Sequence, residues 1–210
     1  MLHIKINKSE FLLMLAAIIW GFAFVAQRAS VDHIGPFAFN AIRFALGAIT
    51  LLPFTFLIKT SSSIKHVYQS RHLKIGGLLA GILLFAGASF QQVGIVYTGA
   101  GNAGFITSLY VIMVPILGLL WRHKTSFLTW VGALFATLGL YFLSIQDKLT
   151  LSKGDSIVLL AALFFAFHVI IIGLYSNKAN PIMLSIVQFS ICAVLSFSVS
   201  LITEETTWSG

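Results

Sequence analysis

The chain consists of long apolar stretches separated by short polar connections. Seven of these stretches hold roughly twenty residues each, which is the length that a helix needs to cross the hydrocarbon core of a bilayer. They lie near 11–29, 36–58, 74–97, 101–121, 126–145, 155–175 and 181–202. Apolar and polar residues do not alternate along them, so a membrane β-barrel is not favoured. The pattern predicts an all-α integral membrane protein with about seven transmembrane helices.

The composition excludes the common classes of soluble protein. Apolar residues make up 58% of the 210 residues and charged residues only 9%, whereas about 25% of the residues of a soluble domain are charged. A disordered chain is excluded, because disorder requires low hydrophobicity. A disulfide or zinc scaffold is excluded because Cys192 is the only cysteine. The net charge of +7 does not indicate nucleic acid, because the basic residues are scattered and form no run interleaved with aromatic residues. The predicted partner is the lipid bilayer.

The distribution of basic residues predicts the orientation, because cytoplasmic connections are enriched in Lys and Arg. With a cytoplasmic N-terminus, nine of the 13 basic residues fall on the cytoplasmic side and three on the opposite side, while Arg43 lies inside the second span. The cytoplasmic residues are Lys5, Lys8, Lys59, Lys65, Arg71, Lys74, Arg122, Lys124 and Lys178. The residues on the other side are Arg28, Lys148 and Lys153. We therefore expect a cytoplasmic N-terminus.

The sequence also contains an internal repeat with an offset of 145 residues. The matched pairs include Lys8 with Lys153, Glu10 with Asp155, Phe22 with Phe167, Pro36 with Pro181 and Phe44 with Phe189. Chance similarity between two apolar helices is the alternative, although the shared proline and the Lys-x-acid pair are less easily accidental. A repeat unit of five helices crosses the membrane an odd number of times, so the second copy is inverted. Inverted repeats are typical of secondary transporters.

The repeat predicts the domain organisation. A complete first unit of five helices would occupy 1–152, and the first two helices of an inverted second unit would occupy 153–210. Three helices of the second unit are then expected outside this chain, which would be a fragment or a truncated product. If it is truncated, we expect it to be inactive alone.

Three motifs within the spans carry a family resemblance. They are 19–24 (IWGFAF), 43–48 (RFALGA) and 94–109 (GIVYTGAGNAGFITSL), the last followed by Val114 and Pro115. Together they resemble the drug/metabolite transporter superfamily, in particular its EamA-like transporter family. The resemblance implies ten helices in two inverted halves and the transport of small organic metabolites across a bacterial-type inner membrane. It does not name a substrate.

Polar groups in hydrocarbon are costly, so within the spans they indicate functional sites or helix contacts. Arg43 is the most informative, because Asn40 and Gly47 share its helix face and a guanidinium can hold a carboxylate. The alternative is a structural arginine that bonds helix-end carbonyls or extends to the interface. The other candidate substrate-binding residues are Trp20, Phe24, Asn40, Gln91, Gln92, Tyr97, Asn102, Thr107, His168 and Gln188.

Each candidate also has a structural interpretation. Gln91 and Gln92 either line a cavity or join helices through their amides. Asn102, in a glycine-rich entry to the fourth span, belongs either to a helix N-terminus that offers backbone donors or to a tight external turn. His168 either takes part in proton coupling or joins two helices. Pro115 is expected to interrupt the fourth span.

Several kinds of chemistry are missing from the sequence. No predicted span has Asp or Glu in its core, so the usual carboxylate of a proton-driven carrier is absent here. The common metal, nucleotide and hydrolase motifs are absent as well, so we expect no enzyme, no metal and no cofactor. The favoured function is a secondary transporter, an exporter or permease, that moves a small-molecule substrate by alternating access. The alternative is a structural membrane subunit or a membrane-embedded enzyme without a recognisable motif. The oligomeric state stays open, with a homo-oligomer among the alternatives.

Overall fold

The computed structural model describes residues 7–57, 71–120, 126–144 and 152–204, and within these ranges every regular element is a helix. The helices are α1 Lys8–Ser30, α2 Pro36–Leu57, α3 Arg71–Val96, α4 Ala100–Ser108, α5 Tyr110–Leu120, α6 Phe127–Ser144, α7 Lys153–Tyr175 and α8 Pro181–Thr203. The all-α class expected from the sequence is confirmed.

The helices match the predicted spans. Six segments in the described ranges are long and apolar enough to cross a membrane: α1, α2, α3, the α4–α5 pair, α7 and α8. Helix α6 occupies the remaining predicted stretch. The chain is therefore a multi-pass membrane protein. Residues 58–70, 121–125 and 145–151, which connect predicted spans, lie outside the described residues, and so do Lys5, Lys59, Lys65, Arg122, Lys124 and Lys148.

Large apolar side chains cover the outside of the bundle. Leu13 and Phe22 on α1 are 70% and 73% exposed, and Ile202 at the end of α8 is 84% exposed. In water such a surface would drive aggregation, whereas in a bilayer it contacts lipid tails of the same polarity. The polar side chains are instead buried between the helices.

Two helices begin with the same hydrogen-bonding device. At the start of α7, Asp155 accepts a bond from the backbone N–H of Ser152 at 2.9 Å, and the Ser152 hydroxyl accepts one from the N–H of Asp155 at 3.1 Å. This reciprocal pair is a capping box. At the start of α1, Glu10 likewise accepts a bond from the N–H of Asn7 at 2.9 Å. The two acids stand at the repeat offset of 145 residues.

Helix α3 is the centre of the bundle and packs closely on α8 through glycines. A Cβ atom on Gly77 would lie 2.5 Å from the Val187 side chain, and one on Gly81 would lie 2.7 Å from that of Ile191. Small residues at this spacing let helix backbones approach closely. Because the contacts advance along both helices together, α3 and α8 run in the same direction.

Helix α7 crosses the other side of α3 in the opposite direction. Near the end of α3, a Cβ on Gly154 would lie 2.7 Å from the Gly94 carbonyl oxygen, so the two backbones nearly touch. Near the start of α3, Gly76 packs against Tyr175, the last residue of α7. The start of α7 therefore lies beside the end of α3.

Helices α2 and α8 are antiparallel as well. Gly47 packs against Phe189, and Phe37, at the start of α2, bonds Glu204, just after the end of α8. Since α3 and α8 are parallel, α2 runs opposite to α3.

Helix α1 runs opposite to the α4–α5 pair. Phe24 packs against Gly104, and the Trp20 and Tyr110 rings lie 6.0 Å apart. The turn between α3 and α4 reverses the chain, so α1 is parallel to α3 and α8. Helices α2, α4–α5 and α7 point the other way.

The fourth span is broken at Leu109, before the expected position. The N–H of Leu109 bonds the Ile106 carbonyl at 3.2 Å, and its own carbonyl accepts bonds from both Ile112 and Met113. Pro115 lies inside α5. A proline perturbs the helical turn that precedes it, here 111–114, so the break at Leu109 lies further towards the N-terminus than that turn.

Candidate functional site

Buried polar side chains form a belt between the helices around α3. Its members are Gln27, Asn40, Ser89, Gln91, Gln92, Thr107, Gln188 and Ser196, each less than one-tenth exposed. Five of them were predicted as site residues: Asn40, Gln91, Gln92, Thr107 and Gln188. The hydrogen bonds within this belt separate the members that join helices from those that are left without a partner.

Gln91 joins α3 to α4. Its side-chain amide donates a hydrogen bond to the Thr107 hydroxyl at 3.0 Å, and both side chains are almost fully buried. Both amide and hydroxyl thus find partners in a neighbouring helix, as is usual for such groups in membrane bundles. The Gln91 amide is part of the helix packing, and the Thr107 hydroxyl is in addition close to a cavity described below.

Gln92 faces a different side of α3, about 100° around the helix axis, and contacts α1. Its amide nitrogen donates to the backbone carbonyl of Gln27 at 3.3 Å. The side-chain oxygens of Gln92 and Gln27 are buried without a partner among the described residues. Both glutamines of the predicted pair are therefore buried, and Gln27, which was not among the predicted site residues, is buried beside Gln92.

His168 and Gln188 form a polar contact between α7 and α8. The His168 Nε2 and Gln188 Oε1 atoms are 2.7 Å apart, so the ring nitrogen donates and the amide oxygen accepts. This matches the helix-joining interpretation of His168. Gln188 occupies the position that the repeat offset relates to Arg43.

Arg43 and Asn40 lie at the contact between α2 and α8. Asn40 is fully buried, and neither atom of its amide has a partner among the described residues. The Arg43 Cζ lies 4.7 Å from the centre of the Phe44 ring and 5.6 Å from that of Phe39, so two aromatic faces hold the guanidinium. Its Nε is also buried and unpartnered in the described ranges.

Trp20 and Phe24 line a cavity of about 280 Å³ between α1 and the α4–α5 pair. The other lining residues are Ala17, Gly21, Gly104, Thr107, Ser108 and Tyr110. Its wall is mostly apolar, with the hydroxyl groups of Thr107, Ser108 and Tyr110 as the polar groups. Three predicted site residues therefore share this cavity: Trp20, Phe24 and Thr107.

Tyr97 and Asn102 lie at the end of the bundle. Tyr97 is 52% exposed, and the Lys153 ammonium sits 4.7 Å from the centre of its ring. Asn102 is exposed in the first turn of α4, after the turn that follows α3. Neither side chain reaches the buried polar belt.

Two carboxylates close the same end of the bundle. Glu204 accepts bonds from the backbone N–H groups of Phe37 at 2.7 Å and Ala38 at 2.9 Å, which joins α8 to α2. Asp155 accepts a bond from the Thr98 hydroxyl at 2.6 Å, which joins α7 to the turn after α3. Both carboxylates thus accept hydrogen bonds from backbone N–H or hydroxyl groups that would have no partner in hydrocarbon.

Comparison with known proteins gives the family. The EamA-like transporter family matches residues 7–145, which is more than half of the chain. The chain belongs to the EamA-like transporter family. The segments that carried the resemblance in the sequence lie within the matched range, and they contribute Trp20, Phe24 and Thr107 to the cavity and Arg43 to the α2–α8 contact.

Three curated relatives are also described as transporters. Two uncharacterized transporters of Archaeoglobus fulgidus are 37% identical over 88% of this chain and 28% identical over 85% of it. The uncharacterized transporter YoaV of Bacillus subtilis is 25% identical over 70% of the chain. The matched regions cover 55%, 62% and 50% of these relatives, so this EamA-like chain spans about half of their length. No solved structure matches it.

Sequence reasoning missed several residues of this EamA-like site. Gln27 and Ser196 are buried polar members of the belt, and Tyr110 lines the cavity. Gln27 was detectable as an amide near the end of an apolar stretch, but Ser196 stands among several serines of α8 and has no distinguishing local signal. In the described ranges, no group of three His, Cys, Asp or Glu side chains could hold a metal ion.

Proposed function

We propose that this chain is part of a secondary carrier that moves a small organic metabolite across the cell inner membrane by alternating access. Membership of a transporter family and the multi-pass fold support transport in general. In the proposed orientation, the N-terminus is cytoplasmic, and the carboxylates Asp155 and Glu204 lie on the outer side.

The arrangement of the repeat-related helices carries the proposal. α1 and α7 run in opposite directions, as do α2 and α8. Yet α1 and α7 both place an acid three residues after the N-cap, and α2 and α8 both begin with proline. Equivalent helices with opposite directions are what an inverted repeat of units 1–152 and 153–210 requires. An inverted repeat supports alternating access, because the two units can exchange their conformations across the membrane plane.

The closed end of the bundle supports a gate. The Thr98–Asp155 and Phe37–Glu204 hydrogen bonds join the two proposed units at the same end of the bundle. Separation of those contacts would open the bundle on that side. The cavity beside Trp20 and Tyr110 would then form part of the substrate path. We propose that these contacts form in the state that is closed to the outside.

The test is counterflow with the full-length protein in proteoliposomes. Labelled amino acids, organic acids and nucleosides are offered to vesicles preloaded with the same unlabelled compounds. A Thr98→Cys/Asp155→Cys pair, with Cys192→Ser, is expected to stop exchange when oxidised and to restore it when reduced. Each single-cysteine variant serves as the matched control. Folded protein that exchanges no member of the panel, or that exchanges equally when cross-linked, would contradict the proposal.

A further inference from the structure

We propose that Arg43, together with Asn40 and Ser196, binds a carboxylate group of the transported molecule. This inference rests on the proposed transport function and specifies its substrate class: small organic acids with a single negative charge at the end that enters the site. It rests on the charge, burial and unpartnered donors at the contact between α2 and α8.

The charge of Arg43 is not balanced by any described acid. The four acidic residues in the described ranges all lie at helix ends: Glu10, Asp32, Asp155 and Glu204. Glu10, Asp155 and Glu204 accept hydrogen bonds there, and Asp32 is exposed after the end of α1. A guanidinium inside a membrane bundle normally pairs with an acid or with backbone carbonyls. Arg43 makes no hydrogen bond to either within the described residues.

Two further buried polar groups lie near the same level. The contacts of Gly47 with Phe189 and of Phe37 with Glu204 fix the antiparallel register of α2 and α8. This register places Arg43 at the level of Cys192 and Ser196, and Asn40 lies about one turn nearer the start of α2. Like Asn40, Ser196 is fully buried, and its hydroxyl lies beside the Cys192 thiol, with no nitrogen or oxygen partner among the described residues. Buried groups without a partner are destabilising, which indicates that a ligand completes their hydrogen bonds during transport.

The geometry of the donors favours a carboxylate. The Nε of Arg43 is closed off, while the residue is partly exposed and its two terminal nitrogens are not among the buried unpartnered atoms. The aromatic rings of Phe44 and Phe39 hold the guanidinium. A planar guanidinium fork matches the two oxygens of a carboxylate. The Asn40 amide and Ser196 hydroxyl supply additional donors.

The charge balance distinguishes a carboxylate from a phosphate. A carboxylate carries one negative charge, which the single guanidinium neutralises. A phosphate monoester carries about −1.5 to −2 at pH 7 and would leave uncompensated charge between the helices. Charge without a partner is unfavourable in a bundle surrounded by hydrocarbon. We therefore expect the site to select monocarboxylates over phosphates.

The experiment measures thermal stabilisation of the purified full-length protein in detergent. The probes are matched pairs that differ only in charge: benzoate with benzamide, and propionate with propionamide. Phenyl phosphate tests the other anion. At least one carboxylate is expected to raise the Tm of the wild-type protein in a saturable manner, while its amide and phenyl phosphate do not.

The variants separate recognition from structure. Arg43→Gln introduces the residue type found at the repeat-related position, Gln188. This variant should raise the half-saturating carboxylate concentration at least tenfold. Arg43→Lys keeps the charge but loses the fork, so a rise of several-fold is expected. Ser196→Ala should cause a smaller rise. Arg28→Gln removes an arginine at the end of α1 and is the control that should bind as the wild type does.

Several results would overturn the inference. A purely structural Arg43 predicts that Arg43→Lys and Arg43→Gln lower the Tm without ligand and leave the half-saturating concentration unchanged. Equal stabilisation by amides, or a preference for phenyl phosphate, would assign another substrate class. Folded wild-type protein that no carboxylate stabilises would also contradict it. The counterflow assay tests the transport proposal separately. Exchange of neutral compounds, without stabilisation by any carboxylate, would support transport and reject the carboxylate site at Arg43.

Discussion

The carboxylate of Glu204 accepts a hydrogen bond from the backbone N–H of Phe37 at 2.7 Å, so an acid at the end of α8 caps the start of α2. It also accepts bonds from the N–H of Ala38 and the hydroxyl of Ser200. The first N–H groups of a helix have no partner inside the helix, and its N-terminus favours negative charge. Gly35, which precedes α2, has no side chain that could cap it. At the corresponding start of α8, the side chain of Asn180 caps locally.

Removal of this cap should destabilise the protein. Glu204→Ala leaves two backbone donors without their charged acceptor, and we expect a loss of about 1.5–3 kcal/mol. Glu204→Gln keeps one carbonyl oxygen and should lose less. The measurement is unfolding in mixed detergent micelles. Asp32→Ala is the control, since Asp32 is an exposed acid near the same end with no described hydrogen bond; equal losses in both variants would argue against the cap.

Gly35→Ala should disturb the same contact from the other side. A Cβ at this position would overlap the Glu204 carboxylate, so the acid must move away from the α2 N-terminus. We expect a loss comparable to that of Glu204→Ala, and no further loss when the two substitutions are combined. Additive losses in the double variant would show that Gly35 acts through some other contact.

Filling the cavity at Gly21 should block transport without loss of folding. A Cβ on Gly21 meets nothing within 4 Å, and the residue lines the 280 Å³ cavity. Gly21→Leu is therefore expected to keep the Tm while it reduces counterflow in the full-length protein at least tenfold. Gly173→Leu on α7, where a Cβ also meets nothing within 4 Å, is the matched control. Unchanged exchange in Gly21→Leu would exclude the cavity from the substrate path.

The contact between His168 and Gln188 should be worth a measurable coupling energy. A double-mutant cycle with His168→Ala and Gln188→Ala is expected to give about 0.6 kcal/mol, the average for polar pairs in a membrane bundle, and at most about 1.7 kcal/mol. Unfolding free energies of the four proteins give this number. The control cycle combines His168→Ala with Ser185→Ala, for which no hydrogen bond is described, and should give a value near zero. If both cycles give the same coupling, the 2.7 Å contact does not stabilise the bundle.

The orientation can be tested with single cysteines at exposed turns. Gly99, in the turn after α3, is open, and Lys178 is exposed in the turn between α7 and α8. In a Cys192→Ser background, Gly99→Cys should react with a membrane-impermeant maleimide in intact cells. Lys178→Cys should react only after permeabilisation. The reverse pattern would place the N-terminus outside.

The sequence alone determined the number and limits of the spans and the devices at their ends. Hydropathy over about twenty residues depends only on local composition, and a capping box or an N-terminal proline acts within one turn. For that reason, the predicted stretches agree with α1, α2, α3, the α4–α5 pair, α6, α7 and α8. The polar residues of the spans could be recognised as candidates for functional sites or helix contacts, because polar groups are costly in hydrocarbon.

Only the tertiary structure decided which polar group meets which. Gln91 and Gln92 are neighbours in sequence, but one bonds Thr107 and the other Gln27, because they face different helices. Glu204 looked like an ordinary charge at a span end, and its partner lies 167 residues away. Partners of this kind depend on helix direction and crossing register, which the close approach of glycines such as Gly94 and Gly154 fixes. Hydropathy carries no information about that register. The sequence therefore shows that Arg43 is a charge inside a span, but only the structure shows that no described acid pairs with it.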